Sequence, residues 1–361
     1  MAIPVRNVYY LLSYAWRQFE YDDVVDLESV ESNEIVDLFA RILIDGTRQL
    51  VRRGLDRGYR TESKKIAGVR GQIEFGPSIN EMLFQQGKAR CRVDELTHDV
   101  LHNRLLKATF QHLRRVRDLD DDLRAEIAGV LPYLRGVEDL KRLSPLLFHR
   151  VRLHRNNRFY RFLLDVCELV ARNLLVSEET GEARFRDFLR DEVQMNMLFE
   201  KFVRNFYDRE HDGFRSTSSH LKWNASGDDK ALSRLPQMKT DITLEGTDRV
   251  VIIDTKYYQK TLQSGWQGGV EKVHSGNLYQ LYAYLNTYKV HRAAGRIVEG
   301  MLLYPTIDHE LRLDYEIDGF RVQVCTVDLA REWREIESEL LDIVSVESVI
   351  RKFAQATNTE R

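Results

Sequence analysis

Hydrophobic positions change their period several times along the chain, and each change marks an element. Over residues 8 to 19, Val8, Leu11, Leu12, Ala15, Trp16 and Phe19 recur at the spacing of one helix face, with Asn7 available as N-cap. A second helical pattern, EIVDLFARILIDGTRQLVRRGL, covers 34 to 55. Strand-like pieces follow around TESKKIAGVRGQIEF (61 to 75) and KARCRVDELT (88 to 97). From Val100 to Leu140 the pattern returns to helix, including LHNRLLKATFQHLRRVRDL. Asp118, Asp120, Asp121 and Asp122 stand where the next helix would begin, the end of the macrodipole that favours acids. After RVRLHRNNRFYRF comes another apolar helix, LLDVCELVARNLLV.

The back of the chain alternates differently. It reads as helix (VQMNMLFEKFVRNFYDRE), strands (HLKW, MKTDITLE, RVVIIDTKYY), helix (SGNLYQLYAYLNTYKV), strands (GMLLYP, RVQVCTVDL) and helix (AREWREIESELLDIV), with GDDKALSRLP as a loop. Helices and strands in this order predict a mixed central sheet flanked by helices. The expected fold class is therefore α/β and α+β. A mixed helical and small-β domain over 1–160 precedes a sheet-centred domain over 161–361.

A chain of 361 residues is long for a single core, which agrees with two domains. Its 54 basic and 56 acidic residues leave a net charge of -2, so any attraction to nucleic acid must come from local patches or a partner. Cys91, Cys167 and Cys325 are far apart, which suggests neither a disulfide framework nor a zinc site and fits a reducing cytoplasm. The apolar N-terminus is broken by Arg6, Asn7 and Ser13 and lacks a basic leader region, and no apolar run is long enough to predict a membrane span.

The chemistry concentrates at VVIIDTKYY, 250 to 258. Four branched apolar residues read as a strand buried on both faces, yet the run ends in Asp254, Thr255 and Lys256. Alternation puts Asp254 and Lys256 on one face and Thr255 on the other. In the preceding strand, a tight loop pairing Gly246 with Arg249 would set Asp241 opposite Asp254. Directly opposed residues have Cβ atoms roughly 4.5 to 5.5 Å apart, and like charges there repel. A hard divalent ion such as Mg2+ removes the conflict, filling its other positions with water and substrate phosphate. Lys256 could then orient or deprotonate the attacking water. On the following helix Gln280 and Tyr284, four apart, share a face and can hydrogen-bond a scissile phosphate or the lysine. Glu200 could reach the metal through water or simply face solvent.

Each of these has a plainer reading. Asp254 and Lys256 alone could be a cross-strand ion pair, and Gln280 and Tyr284 ordinary polar tips on a packed helix. His98 and His102 in HDVLH have ligand spacing, but Asp99 stands where a zinc-protease motif needs glutamate, so a packed pair is favoured. GQIEFGPS (71 to 78) has the glycines of a phosphate loop with Pro77 in place of the lysine, so no nucleotide is expected to bind this chain. The series Arg150, Arg152, Arg155, Arg158 and Arg161 is a local basic patch, favoured as a solvated or interdomain face over a DNA contact.

The set Asp241, Asp254-Thr255-Lys256 resembles the catalytic core of the PD-(D/E)XK nuclease superfamily. IPVRNVYYLLSYAW, GVRGQIEF, ELTHDVLHNRLLK, SHLKWNAS, LPQMKTDIT, VVIIDTKYY, NLYQLYAYL and LLYP together resemble the McrC family of McrBC modification-dependent restriction systems over nearly the whole length. That resemblance implies a C-terminal PD-(D/E)XK endonuclease domain that cuts DNA with Mg2+, Mn2+ being a possible substitute. It implies an N-terminal domain that docks into a hexameric AAA+ GTPase, McrB, which reads modified cytosine such as 5-methylcytosine. Carried over, Asp241 and Asp254 hold the metal together with the carbonyl of Thr255, and Lys256 serves the water. Thr240 replaces the proline of the superfamily motif, and Glu200 stands outside the matched set. The alternative is an adaptor that keeps the nuclease fold as a scaffold and only activates an NTPase ring.

Overall fold

The computed structural model describes residues 3–17, 34–154, 157, 159–176, 183–185, 188–257, 272–306 and 310–345. They form two compact units: Tyr21–Arg186, and a second that joins Met1–Glu20 to Asp187–Arg361. The division differs from the expected cut at 160 in two places, each with a packing reason.

The first is the opening helix, α1 (Val5–Ala15). Pro4 takes the N-cap position, and Asn7 lies within the helix on its buried side. The Asn7 Nδ2 donates to the carbonyls of Leu329 and Arg331, both at 2.8 Å, so Asn7 ties the first helix to the last part of the chain instead of capping it. Tyr10 stacks on Trp333 with ring centroids 4.5 Å apart, and Tyr14 meets Phe202 and Phe206. Such aromatic pairs add to the burial of large apolar area.

The front unit contains α2 (Ile35–Arg53), β1 (Gly58–Ala67), β2 (Gln72–Ile73), α3 (Phe75–Asn80), β3 (Lys88–Thr97), α4 (Leu101–Leu113), α5 (Asp121–Val130), α6 (Pro145–Phe148), α7 (Phe159–Asn173), β4 (Leu174–Val176) and β5 (Ala183–Phe185). The three-stranded sheet has order β1-β3-β2 and is antiparallel, as the pattern predicts. The α5 helix starts at the expected acidic cluster, where Asp120 accepts hydrogen bonds from the N–H groups of Asp122 and Leu123. The second departure from the expected cut is α7, which packs on α2 and α4 and so belongs here. Its last predicted turn, LLV, leaves the helix and pairs with β5 as β4.

His98 and His102 sit in a structural network of this unit. His102 is buried with Nε2 2.9 Å from Asp56 Oδ2, and Arg57 donates to His98 at 3.0 Å. Asn103 donates to the carbonyls of Asp56 and His98 and accepts from the Tyr160 hydroxyl. Asp99, also buried, pairs with Arg60 and Arg104. The GQIEFGPS segment makes the turn and strand that lead into α3. Arg150, Arg152 and Arg161 are exposed, whereas Arg155 and Arg158 lie outside the described residues.

The back unit continues with α8 (Glu192–Glu210), β6 (Arg215–Thr217), β7 (His220–Leu221), α9 (Asp229–Leu232), β8 (Met238–Lys239), β9 (Ile242–Glu245), β10 (Arg249–Thr255), α10 (Ser275–Arg292), β11 (Ile297–Thr306), β12 (Arg312–Ile317), β13 (Phe320–Asp328) and α11 (Trp333–Val344). Its mixed sheet has order β12-β13-β11-β10-β9-β6, with β10, β11 and β13 parallel and the outer pairings antiparallel. Two edge strands, β6 and β12, were not predicted, because short or mostly exposed strands carry little hydrophobic pattern. MKTDITLE is two strands, β8 and β9, broken at Thr240 and Asp241, and the loop GDDKALSRLP contains the short helix α9.

The parallel pair β10–β11 is bridged by α10, the crossover that parallel strands require. Val250 and Ile252 pack toward α10 with Leu281, Tyr284, Leu285 and Tyr288, while Val251 and Ile253, sent by alternation to the opposite face, are equally buried. Gly300 on β11 allows the close approach: a Cβ there would lie 2.8 Å from Leu285 Cδ1.

Two outcomes follow from this packing. Gly300→Val overpacks the α10 contact and lowers the unfolding free energy by about 1–3 kcal/mol, measurable by chemical denaturation. Burial pushes the His102 pKa down, against the opposing pull of Asp56. The unfolded chain therefore binds this proton more readily than the folded one. Stability is held above the ordinary imidazole value near 6.5 and falls as pH drops below it. A His102→Gln variant shows a shallower loss between about pH 6.5 and 5 in pH-dependent melting.

Candidate active site

The hairpin register brings the predicted acids together. Gly246 N–H donates to the Arg249 carbonyl at 2.9 Å, and the ladder runs from Val250↔Glu245 to Ile253↔Ile242. One step further, Asp241 and Asp254 are opposite each other in that register. The β9 strand starts only at Ile242, so Asp241 sits at a bend where its side chain can turn over the end of β10. It does so as an acceptor: Asp241 Oδ2 takes the Thr255 N–H at 2.9 Å and the Thr255 hydroxyl at 3.2 Å.

Thr240 shapes that bend. Its hydroxyl accepts the Ser219 N–H at 2.9 Å and lies 2.8 Å from the Thr243 hydroxyl, while its carbonyl accepts from the Ser218 hydroxyl. Thr240 thus has a structural task of its own, anchoring the chain just before Asp241.

Asp254 is completely buried, and Lys256 Nζ lies 2.6 Å from its Oδ2 and 3.8 Å from Asp241 Oδ2. Both oxygens of Asp254 lack a hydrogen bond of good geometry, so the contact with Lys256 is ionic. Burial pushes the Asp254 pKa up to about 7; the Lys256 ammonium pulls it down, and Asp241 and, more weakly, Glu200 push it up again. A carboxylate so placed is costly to ionise, and Lys256 is the cation that offsets the cost.

The remaining predicted residues surround this pair. Gln280 Nε2 donates to the Tyr284 hydroxyl at 2.7 Å, and burial, then the fields of Asp254 and Asp241, raise the Tyr284 pKa against the pull of Gln280. Tyr284 therefore senses the carboxylates from α10. Glu200 projects from α8 and pairs with Arg204 at 2.8 Å. Its pKa is raised by burial and by Asp241, with Arg204 opposing. Among the described residues, no three His, Cys, Asp or Glu side chains converge as a ready-made metal cluster. The groups that gather at the end of β10 are the carboxylates of Asp241 and Asp254, the Lys256 ammonium and the Thr255 carbonyl, which accepts from Lys256 Nζ at 3.3 Å.

Period and spacing did not single out two neighbours on α8. Arg204 reaches toward the Asp241 carbonyl at 3.4 Å, and Asn196 accepts the Tyr257 N–H at 3.0 Å. Asn196, Glu200 and Arg204 recur every four residues, one face of α8. The polar stripe was visible in the sequence, but its partner was not.

A family model described as "McrBC 5-methylcytosine restriction system component" matches residues 5–305. The chain belongs to this McrBC family. It is 37% identical over 342 residues to the Escherichia coli (strain K12) type IV methyl-directed restriction enzyme EcoKMcrBC, covering 94% of this chain and 97% of that protein. A solved half-complex from the tetradecameric assembly of Thermococcus gammatolerans McrB AAA+ hexamers with bound McrC contains a chain of similar fold. The TM-score is 0.53 at 17% identity, covering 93% of this chain and 76% of that one. Among the described residues, no helix is long and apolar enough to cross a membrane.

Proposed function

We propose that this chain is the DNA-cleaving subunit of a methyl-directed restriction complex. It is a Mg2+-dependent endodeoxyribonuclease of the PD-(D/E)XK type, driven by a hexameric AAA+ GTPase partner that reads modified cytosine. The observation that carries the reading is the buried, hydrogen-bond-poor carboxylate of Asp254 held beside Lys256 and within reach of Asp241. Membership of the McrBC family and the restriction activity in the name of the E. coli relative support it.

The residues suit a hard divalent cation. Asp254 makes no hydrogen bond of good geometry and has Lys256 beside its charge, Asp241 is partly buried next to it, and the Thr255 carbonyl, which accepts from Lys256 Nζ at 3.3 Å, supplies a neutral oxygen. Asp241, Asp254 and Thr255 would hold the ion, with Glu200 reaching it through water. Bound Mg2+ would supply Lewis-acid polarisation of the phosphodiester and a more acidic water. The chain's own groups then have distinct tasks. An ammonium has three donors and no acceptor, so in its ion-paired form Lys256 orients the attacking water and offsets charge building on the phosphate oxygens. Tyr284, polarised by Gln280, donates its hydroxyl hydrogen toward the same phosphate. Burial of β10 on both faces keeps these groups rigid, which positions the reactants.

One observation favours the adaptor alternative: Lys256 Nζ, 2.6 Å from Asp254 Oδ2, can neutralise that carboxylate by itself. Metal binding separates the two readings. Mg2+ or Mn2+ should raise the melting temperature of the full chain in a dose-dependent way, as expected for a ligand of the native state, and Asp241→Asn or Asp254→Asn should abolish the rise. An unchanged melting temperature in the unmodified chain at millimolar metal would favour the adaptor.

In the assembled complex, Asp254→Ala should lower cleavage of methylated DNA at least about 100-fold, beyond what altered support of a metal ligand usually costs. Stimulation of the partner's GTP hydrolysis should persist. Loss of both activities in a folded variant would reject the separation of docking and cleavage between the two units.

A further inference from the structure

The lysine of the site hangs on a strand that is about to leave the sheet. The β10–β11 ladder ends at Thr255↔Leu303, and the last sheet bond beyond it runs from the Lys256 N–H to the Leu303 carbonyl at 3.1 Å. Lys256 itself has four rotatable side-chain bonds, so where its ammonium lies depends on how firmly its backbone is aimed. Three successive amides are fixed from three different parts of the unit. Thr255 N–H goes to the Asp241 carboxylate at 2.9 Å, Lys256 N–H to β11, and Tyr257 N–H to Asn196 Oδ1 on α8 at 3.0 Å.

The first two bonds belong to the acid pair and to the sheet. The third is a side chain reaching from a separate helix to an amide just outside the ladder. We propose that Asn196 is a positioning residue for phosphodiester cleavage: by accepting the Tyr257 N–H it fixes the exit of β10 and so keeps the Lys256 ammonium between Asp254 and Asp241. This rests on the nuclease reading above.

Three features favour this role over a merely structural one. Asn196 is only half-buried on a helix surface, where an alanine would fit the helix at least as well. It lies one turn before Glu200 and two before Arg204, so the α8 face that meets the carboxylates also meets the lysine's backbone. It also bonds the residue directly after Lys256. On the other side, Asp241 bonds the residue directly before it, so the lysine is held from both neighbours.

The test uses the full chain assembled with its GTPase partner on methylated DNA with Mg2+, comparing Asn196→Ala, Asn196→Asp and Asp254→Ala. Asn196→Ala should lower the single-turnover cleavage rate by up to about 100-fold, the effect of misplacing a reacting group by about 1 Å, with little change in the DNA concentration giving half-maximal rate. Asn196→Asp, which keeps the acceptor oxygen, should restore most of the rate. Equal loss in the alanine and aspartate variants, or no loss in either, overturns the proposal. If Asp254→Ala leaves cleavage intact, the nuclease reading itself fails; if Asp254→Ala abolishes cleavage while Asn196→Ala cuts at the normal rate, only the positioning role fails. A readout independent of any variant's folding is hydrogen exchange in the unmodified chain. The Tyr257 amide should be protected, and exchange there at the rate of a free amide also overturns the proposal.

Discussion

The back unit depends on a buried charge at the end of a buried strand. Asp254 follows four branched residues that lie inside the sheet core on both faces, so its carboxylate begins where water is excluded. An isolated carboxylate there would not stay ionised without a nearby cation. Lys256 on the same face pulls its pKa down, and Asp241 from the hairpin arm pushes it up. The rest of the unit serves this arrangement: α10 closes the face that holds Val250 and Ile252, α8 supplies the polar stripe, and the Thr240 hydroxyl sets the bend before Asp241.

Much of this was legible in the sequence because it is local. The loop between Glu245 and Val250 fixes the β9–β10 register, so the opposition of Asp241 and Asp254 follows from spacing within one hairpin. The four-residue repeat of Gln280 and Tyr284 likewise becomes a direct hydrogen bond. The buried strands of the sheet were visible for the same reason: branched apolar runs leave a pattern that exposed edge strands such as β12 do not.

What could not be read depends on contacts far apart in the chain. Asn7 looks like a helix cap from its neighbours alone, and only the carbonyls of Leu329 and Arg331 reveal its partner. Asn196 shares a face with Glu200 in any helical reading, but its acceptor role needs Tyr257, just past the end of β10 and many residues away. MKTDITLE has the propensity of one continuous strand; it breaks at Asp241 because side-chain hydrogen bonds from Thr240 outcompete the ladder there. The His98 and His102 pair shows the opposite: ligand spacing that tertiary packing turns into part of a buried network.

Helix α1 finds its partners far along the chain, on α8, beyond β13 and on α11. Asn7 needs carbonyls beyond β13, and Tyr10 needs Trp333 of α11. Until α8 is translated α1 has none of these partners, and the whole Tyr21–Arg186 unit is made in between. During synthesis the front unit can fold as a finished body first, as N-terminal domains commonly do. The back unit therefore closes only once α11 has been made, by which time the front unit already exists.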